Sequence, residues 1–498
     1  MKQKQQGLIF LSPDEMTLRV VQQPGDKVIT EVKSGPLPVG RRRIADYASN
    51  LEAIVNNLEG FRRILADYAV KEVSFYGKLE DMQMSQARYI ADQIDVRTGF
   101  AIKWLNNNQL VADTFSTLMS SLPEFSDLAS KNLYVLTMGL DTATLGYFRH
   151  NKFQMSWNID LGGARVSHLV DTLRQTTTNP SEIILDYISS KLEYLVPELR
   201  HVKKSKLLIQ NIRTIADTFV NGNQQVAEIP REKLEERYNQ VVDAPDQYII
   251  SNYDVNEQSV NWVLPNFLVI SRVIRLLDAK SIYTTNITEI DGVTKVAFGD
   301  QQQINDMIRT SADNMARRYG ADSAHNDFVV DVSLKLFDAL QPIHRLGRHE
   351  RLLLEIAGKI DDIGNFINPQ GHYRHSAYIL EANPLIGLSA KDNLIVAEVA
   401  RFHSSESPDV HQPMFQRLDG ESQVIVGKLA AILRVADSLD DSRLQKISRV
   451  KLRLQNGRLL IAVQATDNLV VEQWAFGRKN KVFKNVFGLQ PVLIVEGA

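Results

Sequence analysis

Seven of the ten histidines in this 498-residue chain fall between His325 and His411. With the acids around them they make a series: His325, Asp361-Asp362, His372, His375, His403 and Asp437. Imidazole nitrogen and carboxylate oxygen are donors suited to divalent metals, and through a metal to phosphate chemistry. His325, Asp361, Asp362 and Asp437 are the candidate metal ligands, with Mg2+ or Mn2+ as the ion. The competing role for the same residues is a hydrogen-bonded polar cluster that fixes helix register.

These residues need helices to bring them together. His325 is followed by Val329, Val332, Leu336 and Leu340 on one helical face. Asp437 has Leu429 and Leu433 on its own face, and Asp361-Asp362 close an apolar helix carrying Leu353, Ile356, Ala357 and Ile360. His403 follows Val396, Val399 and Ala400. A polar residue on an apolar face costs free energy unless it is paired or ligated, so four inward-facing positions point to one meeting place within a helical stretch, 303–445.

The front of the chain has a different period. Gly7-Leu8-Ile9-Phe10-Leu11, the turn Ser12-Pro13-Asp14 and Leu18-Arg19-Val20-Val21 read as a hairpin. Helices are expected over 44–69, 80–98, 165–175, 180–196 and 264–277, strands over 71–75, and a strand pair over 132–148. Strands alternating with helices argue for parallel sheet with helices packed on it. After 449 the period changes again. Val450-Lys451-Leu452-Arg453-Leu454 alternates apolar and basic, Asn456-Gly457 is a hairpin turn, and strand character is expected to continue through 458–463 and 468–471.

Composition sets outer limits. The chain is 44% hydrophobic and 23% charged, has no cysteine, and carries a net charge of −2. Thiolate metal sites and disulfides are therefore excluded. No apolar run approaches the ~20 residues of a membrane span, and the expected location is cytoplasmic. Charge is uneven: 443–484 holds ten Lys or Arg against two Asp or Glu. Arg449, Lys451, Arg453, Arg458, Arg478, Lys479 and Lys481, with Lys484, are candidate polyanion contacts. The alternative is a solvated basic face. The short clusters Arg41-Arg42-Arg43 and Lys203-Lys204-Ser205-Lys206 read as surface, and no nucleic-acid partner is expected.

Several blocks carry a resemblance. Ser323-Ala324-His325, Leu336-Phe337-Asp338-Ala339-Leu340, Ile363-Gly364, His372 to Leu380, Val399-Ala400-Arg401-Phe402-His403 and Leu433 to Asp440 resemble the HD-type helical domain of the exopolyphosphatase/guanosine pentaphosphate phosphohydrolase (Ppx/GppA) family. Leu161-Gly162-Gly163-Ala164-Arg165-Val166 is similar to a block in that family's front half. The resemblance implies an actin-like (ribonuclease H-like) double α/β domain, then an HD-type helical domain, then a small C-terminal β-rich domain. The implied boundaries are 1–124, 125–303, 304–445 and 446–498. It also implies polyphosphate or a guanosine polyphosphate as ligand, and a homodimer.

In this family two glycine-rich loops cradle phosphate and a glutamate activates water. Here the first loop falls on 11–17, which has no glycine, and the second on 137–144, where one of three glycines survives. Gly139, Asp141, Thr142, Asp14 and Arg19 are the implied phosphate contacts. The glutamate block falls on 106–111, where Asn108 and Gln109 replace carboxylates and Asp113 is the nearest acid. Loss of one positioned base costs ~10²–10⁴-fold in rate. The expectation is a family member with a degraded front site, weak or inactive as a phosphohydrolase. The alternatives are an active Mg2+-dependent exopolyphosphatase using non-standard residues, and a metal-dependent phosphohydrolase working in the HD-type domain. In that domain Asp361 stands where the usual motif has histidine.

Overall fold

The computed structural model describes all residues except 1–3, 14, 36, 38–46, 80–83, 140–141, 175, 178–179, 200–204, 211–223, 243, 253–259, 300 and 497–498. The chain divides into two compact units, Met1–Ile304 and Asn305–Ala498.

Unit 1 contains two sheets. The first holds β1 (Lys4–Leu11), β2 (Met16–Gln23), β3 (Lys27–Lys33), β4 (Val73–Lys78) and β5 (Ile102–Leu105) in the order β3-β2-β1-β4-β5. Its first three strands form an antiparallel meander, and β4 and β5 join in parallel through crossover helices. These helices are α1 (Leu51–Asp67) and α2 (Met84–Thr98). The second sheet holds β6 (Asn132–Met138), β7 (Ala143–Arg149), β8 (Lys152–Ile159), β9 (Lys206–Gln210), β10 (Val226–Ile229) and β11 (Ser281–Thr285), ordered β10-β11-β9-β6-β7-β8. A meander followed by parallel strands recurs, so the two sheets share one topology, with β10 added at an edge.

Two helices run alongside both halves of unit 1. α3 (Asn107–Ser121) buries Phe115 against Phe148 and Phe153, with ring centroids 5.2 and 6.2 Å away. In the second half, α4 (Gly163–Arg174), α5 (Pro180–Leu192) and α6 (Val260–Leu277) cover the sheet and supply much of its core. α7 (Glu289–Phe298) then meets α3 at Gly292, where a Cβ would lie 2.9 Å from the backbone of Asp113 and Thr114.

Unit 2 is helical and then mixed. α8 (Gln302–Arg318) begins at the boundary, followed by α9 (Ser323–His344), α10 (Arg348–Ile360), α11 (His372–Ala382), α12 (Ala390–Arg401) and α13 (Gly420–Ser438). A three-stranded sheet closes it: β12 (Ile447–Gln455), β13 (Arg458–Ala465) and β14 (Gln490–Glu496). Between β13 and β14 runs α14 (Val470–Phe487), which makes the last two strands parallel.

The expected fold class, α/β in front, helical in the middle and a small sheet at the end, is what the structure shows. One detail differs. The sequence pattern predicts strand over 468–471, yet Val470 and Val471 open an 18-residue helix. Two β-branched residues suggested strand, but the burial of Glu472, Ala475, Phe476 and Phe483 has helical spacing. Tertiary packing decides the outcome. Among the described residues no helix is long and apolar enough to cross a membrane.

Candidate functional site

In unit 1 the positions that the resemblance implies for phosphate binding and water activation lie at two strand turns and the start of α3. The amides around the β1–β2 turn are already engaged: Ser12 N–H donates to the Glu15 carbonyl (2.9 Å), Glu15 N–H to Ser12 Oγ (3.2 Å) and Met16 N–H to Ser34 Oγ (3.0 Å). At the β6–β7 turn Gly139 N–H donates to the Thr142 carbonyl at 3.0 Å. An anion cradle needs such amides unsatisfied and convergent. Asp14 and Asp141 lie outside the described residues.

Asn106 caps α3, accepting from Gln109 N–H at 2.9 Å while Gln109 Oε1 accepts from Asn106 N–H at 3.2 Å. Gln109 is thus held in a capping box. Asn108 Oδ1 accepts from Asn158 at 2.9 Å, and Asn107 donates to Thr144 at 3.3 Å. These amides tie the start of α3 to β7 and β8. Asp113 lies further along α3, buried, and burial pushes its carboxyl up to about 7. Arg19 is also buried and fully engaged, 2.8 Å from Glu31, 2.8 Å from Asp291 and 3.1 Å from Thr294.

Unit 2 brings its polar residues together. His325 sits in the first turn of α9, whose cap Asp322 accepts from Ala324 and His325 N–H. Asp361 and Asp362 follow α10, His372 opens α11 after Gly371 at φ 74°, His403 follows α12, and Asp437 lies in the last turn of α13. His325 Nδ1 is 2.8 Å from Asp440, and its Nε2 is 3.3 Å from Asp437 and 3.8 Å from Asp362. Asp362 Oδ1 is 3.2 Å from His372 Nε2 and 3.6 Å from His403 Nε2, and the two Nε2 atoms are 3.2 Å apart. Neither oxygen of Asp361, which is 1% exposed, meets a hydrogen-bond donor among the described residues. His375 is half-buried on α11 and is not among the three residues whose donor atoms converge, Asp362, His372 and His403.

Two cations reach in from the C-terminal part of unit 2. Arg443 pairs with Asp362 Oδ2, and Lys479 of α14 pairs with Asp437 and lies 3.0 Å from Asp441. Arg443 and Gln445 both have left-handed backbone, at φ 59° and 45°. Such backbone costs ~1–3 kcal/mol and persists only where surrounding contacts hold it. Arg443 is held by Asp362, and Gln445 donates to both oxygens of Asp440.

The electrostatics follow from this crowding. Burial alone would lower the His325 pKa, but hydrogen bonds to Asp437 and Asp440 lift it to about 10. Burial likewise opposes charge on His403, yet Asp361 and Asp362 raise it to about 9. Burial, followed by the charge on His403, lowers His372. Asp361 is raised to about 7, chiefly by burial. Burial would also raise Asp362 and Asp437. Asp362 is nonetheless held low by His403 and Arg443, and Asp437 by Lys479 and His325.

The donor set fits a divalent cation. Two imidazoles and one carboxylate, those of His372, His403 and Asp362, bring their donor atoms together, and the Asp361 oxygens and Asp362 Oδ1 are buried and lack hydrogen bonds. Sequence reasoning placed Lys479 on a polyanion surface, and it missed Asp440 and Arg443. Asp440 lies two residues past the end of α13, in a turn where a helical-face argument no longer applies. Arg443 lies on an irregular link that carries no periodic signal.

The remaining basic residues spread over the C-terminal sheet and helix. Arg449, Lys451 and Arg453 alternate along β12 and are exposed, as is Arg458 at the start of β13. Lys451 is 3.5 Å from Glu496. On α14, Lys481 is exposed, and Arg478 lies over the Trp474 ring, 4.6 Å from its centroid.

Residues 308–473 match the family model of Ppx/GppA phosphatase, domain III. The fold is similar to that of an exopolyphosphatase from Cytophaga hutchinsonii, at 14% identity over 59% of this chain and 98% of the other, with a TM-score of 0.50. A Ppx/GppA family member from Aquifex aeolicus aligns at 12% identity over 59% and 97% of the two chains, with a TM-score of 0.47.

Proposed function

With its helical region matching domain III, the chain belongs to the Ppx/GppA family, and on that premise we propose that it binds inorganic polyphosphate or a guanosine polyphosphate and hydrolyses it weakly or not at all in unit 1. The observation that carries this reading is the state of four described amides at the two turns. The amides of Ser12, Glu15, Met16 and Gly139 donate within the protein. A phosphate there would have to break those bonds before making its own. The start of α3 supports the same reading, because Asn106, Asn108 and Gln109 supply amides and no proton acceptor. An amide orients water but does not take its proton.

The test is phosphate release from long-chain polyphosphate and from guanosine pentaphosphate, with Mg2+ and with Mn2+, beside a direct binding measurement. Ppx/GppA phosphatases generally depend on a divalent metal. Saturable binding with release at least ~10²-fold below an intact family enzyme is the expected result. Rapid release abolished by Asp113→Asn would sink it in favour of an active enzyme using non-standard residues.

One observation favours a second reading. The donor atoms of Asp362, His372 and His403 in unit 2 lie within 4.8 Å of one another, and Asp362 Oδ1 and both Asp361 oxygens lack hydrogen bonds. Metal-dependent phosphohydrolysis in the helical unit is the activity such a set supports. It predicts phosphate release lost in Asp437→Asn and unaffected by substitution at Asn108.

A further inference from the structure

We propose that Asp362, His372 and His403 form a three-ligand site for one divalent transition-metal ion, and that the Lys479 ammonium is a built-in cation serving the adjacent Asp437. The inference deepens the second reading above and rests on it for what the ion would do to phosphate.

Geometry comes first. The three donor atoms are contributed by three separate elements, and their separations are 3.2, 3.2 and 3.6 Å. Two donors each ~2.1 Å from a tetrahedral ion stand ~3.4 Å apart. The triangle therefore has the dimensions of one coordination face.

The outer hydrogen bonds point the same way. His372 Nδ1 is 3.0 Å from the Pro369 carbonyl, and His403 Nδ1 is 2.5 Å from the Ala400 carbonyl. A carbonyl accepts only, so each Nδ1 carries its hydrogen. In the neutral rings both Nε2 atoms then present lone pairs. This is the arrangement by which a backbone carbonyl fixes the tautomer of a metal-binding imidazole. The lone pairs face Asp362 Oδ1, which is buried and makes no hydrogen bond. A positive ion satisfies all three atoms at once. Two imidazoles beside one carboxylate suit Zn2+, Mn2+ or Fe2+ better than Mg2+ or Ca2+.

Lys479 explains why one ion is enough. Its Nζ pairs with Asp437 and lies 3.0 Å from Asp441, so the acid that would anchor a second ion already has its counter-charge. Arg443 takes Asp362 Oδ2 and leaves Oδ1 for the metal.

The experiment uses the full-length chain, stripped with chelator, desalted and titrated with Zn2+ and separately Mn2+ by calorimetry, with bound metal counted by mass spectrometry. One equivalent is expected. It should weaken at least ~10-fold in His372→Gln, as in Asp362→Asn and His403→Gln. His372 is partly exposed at a helix start, so its variant keeps the test open if the buried variants do not fold. Lys479→Met should retain the first equivalent and take up a second. No bound metal, or one equivalent unchanged in His372→Gln, overturns the site. Two equivalents in the unaltered protein, or one in Lys479→Met, overturn the role of Lys479. Metal bound as expected without phosphate release from any substrate sinks the second reading and leaves the site standing.

Discussion

Gly364 lies directly against the His372 carbonyl. A Cβ at position 364 would overlap that oxygen, sit 2.5 Å from Ser376 N and 2.8 Å from His375 Cβ. The obstacles are mostly backbone, so no side-chain rotation relieves them. Ser376 Oγ reinforces the join, donating to the Asp361 carbonyl (2.5 Å) and accepting from Gly364 N–H (2.8 Å). Gly364→Ala is expected to destabilise unit 2 by at least ~1–3 kcal/mol. It should also weaken metal uptake, because His372 moves with its carbonyl. Denaturant titration reads the first effect and calorimetry the second.

This close approach shows what the sequence could and could not reveal. The inward direction of His325 and Asp437 was legible, because their helices have clear 3–4 spacing and a single apolar face. The partners of those residues were not. Lys479 stands in a basic run that reads as a polyanion surface, and only the packing of α14 on α13 brings it to Asp437. The shared topology of the two front sheets was hidden for a similar reason. Strand order depends on pairings between distant segments, such as Leu133 with Lys206, and local pattern does not encode them. The resemblance implies a phosphate contact at Arg19, whereas β3 and α7 supply acidic partners for it.

Arg19 therefore yields a prediction that separates structure from ligand binding. Its guanidinium is held by Glu31 and Asp291, each about one-third exposed. Arg19→Met should destabilise unit 1 by about 2–3 kcal/mol, below the full cost of breaking a buried pair because the acids keep some water. Polyphosphate affinity of the folded variant should be unchanged. A selective loss of affinity without loss of stability would return Arg19 to the phosphate site.

Asp113 should make unit 1 sensitive to pH. Burial raises its carboxyl from 3.8 to about 7 in the folded chain, so the protonated form is favoured by folding. Its contribution is fully present below about pH 4 and is lost as pH rises through about 7. Asp113→Asn removes the ionisation. The variant should be more stable than the parent by a few kcal/mol at pH 8, with the difference vanishing near pH 4. Thermal melts of both proteins across that range decide the matter, and a parallel shift at every pH would show that ionisation is not the cause.

Polyanion binding should depend on the exposed basic face of the C-terminal sheet. Arg449 and Arg453 lie on the same face of β12, and Arg458 begins the adjacent strand. A flexible polyanion bound there releases counterions, so its affinity should fall linearly on a log–log plot against salt. Each lost arginine contact should reduce the magnitude of that slope by ~0.7, by analogy with single-stranded polyanions. Arg449→Gln, Arg453→Gln and Arg458→Gln together should therefore flatten it by about 2 and weaken binding most at low salt. These side chains are exposed, so the melting temperature should move little. An unchanged slope in the triple variant would place the polyanion elsewhere and leave this face merely solvated.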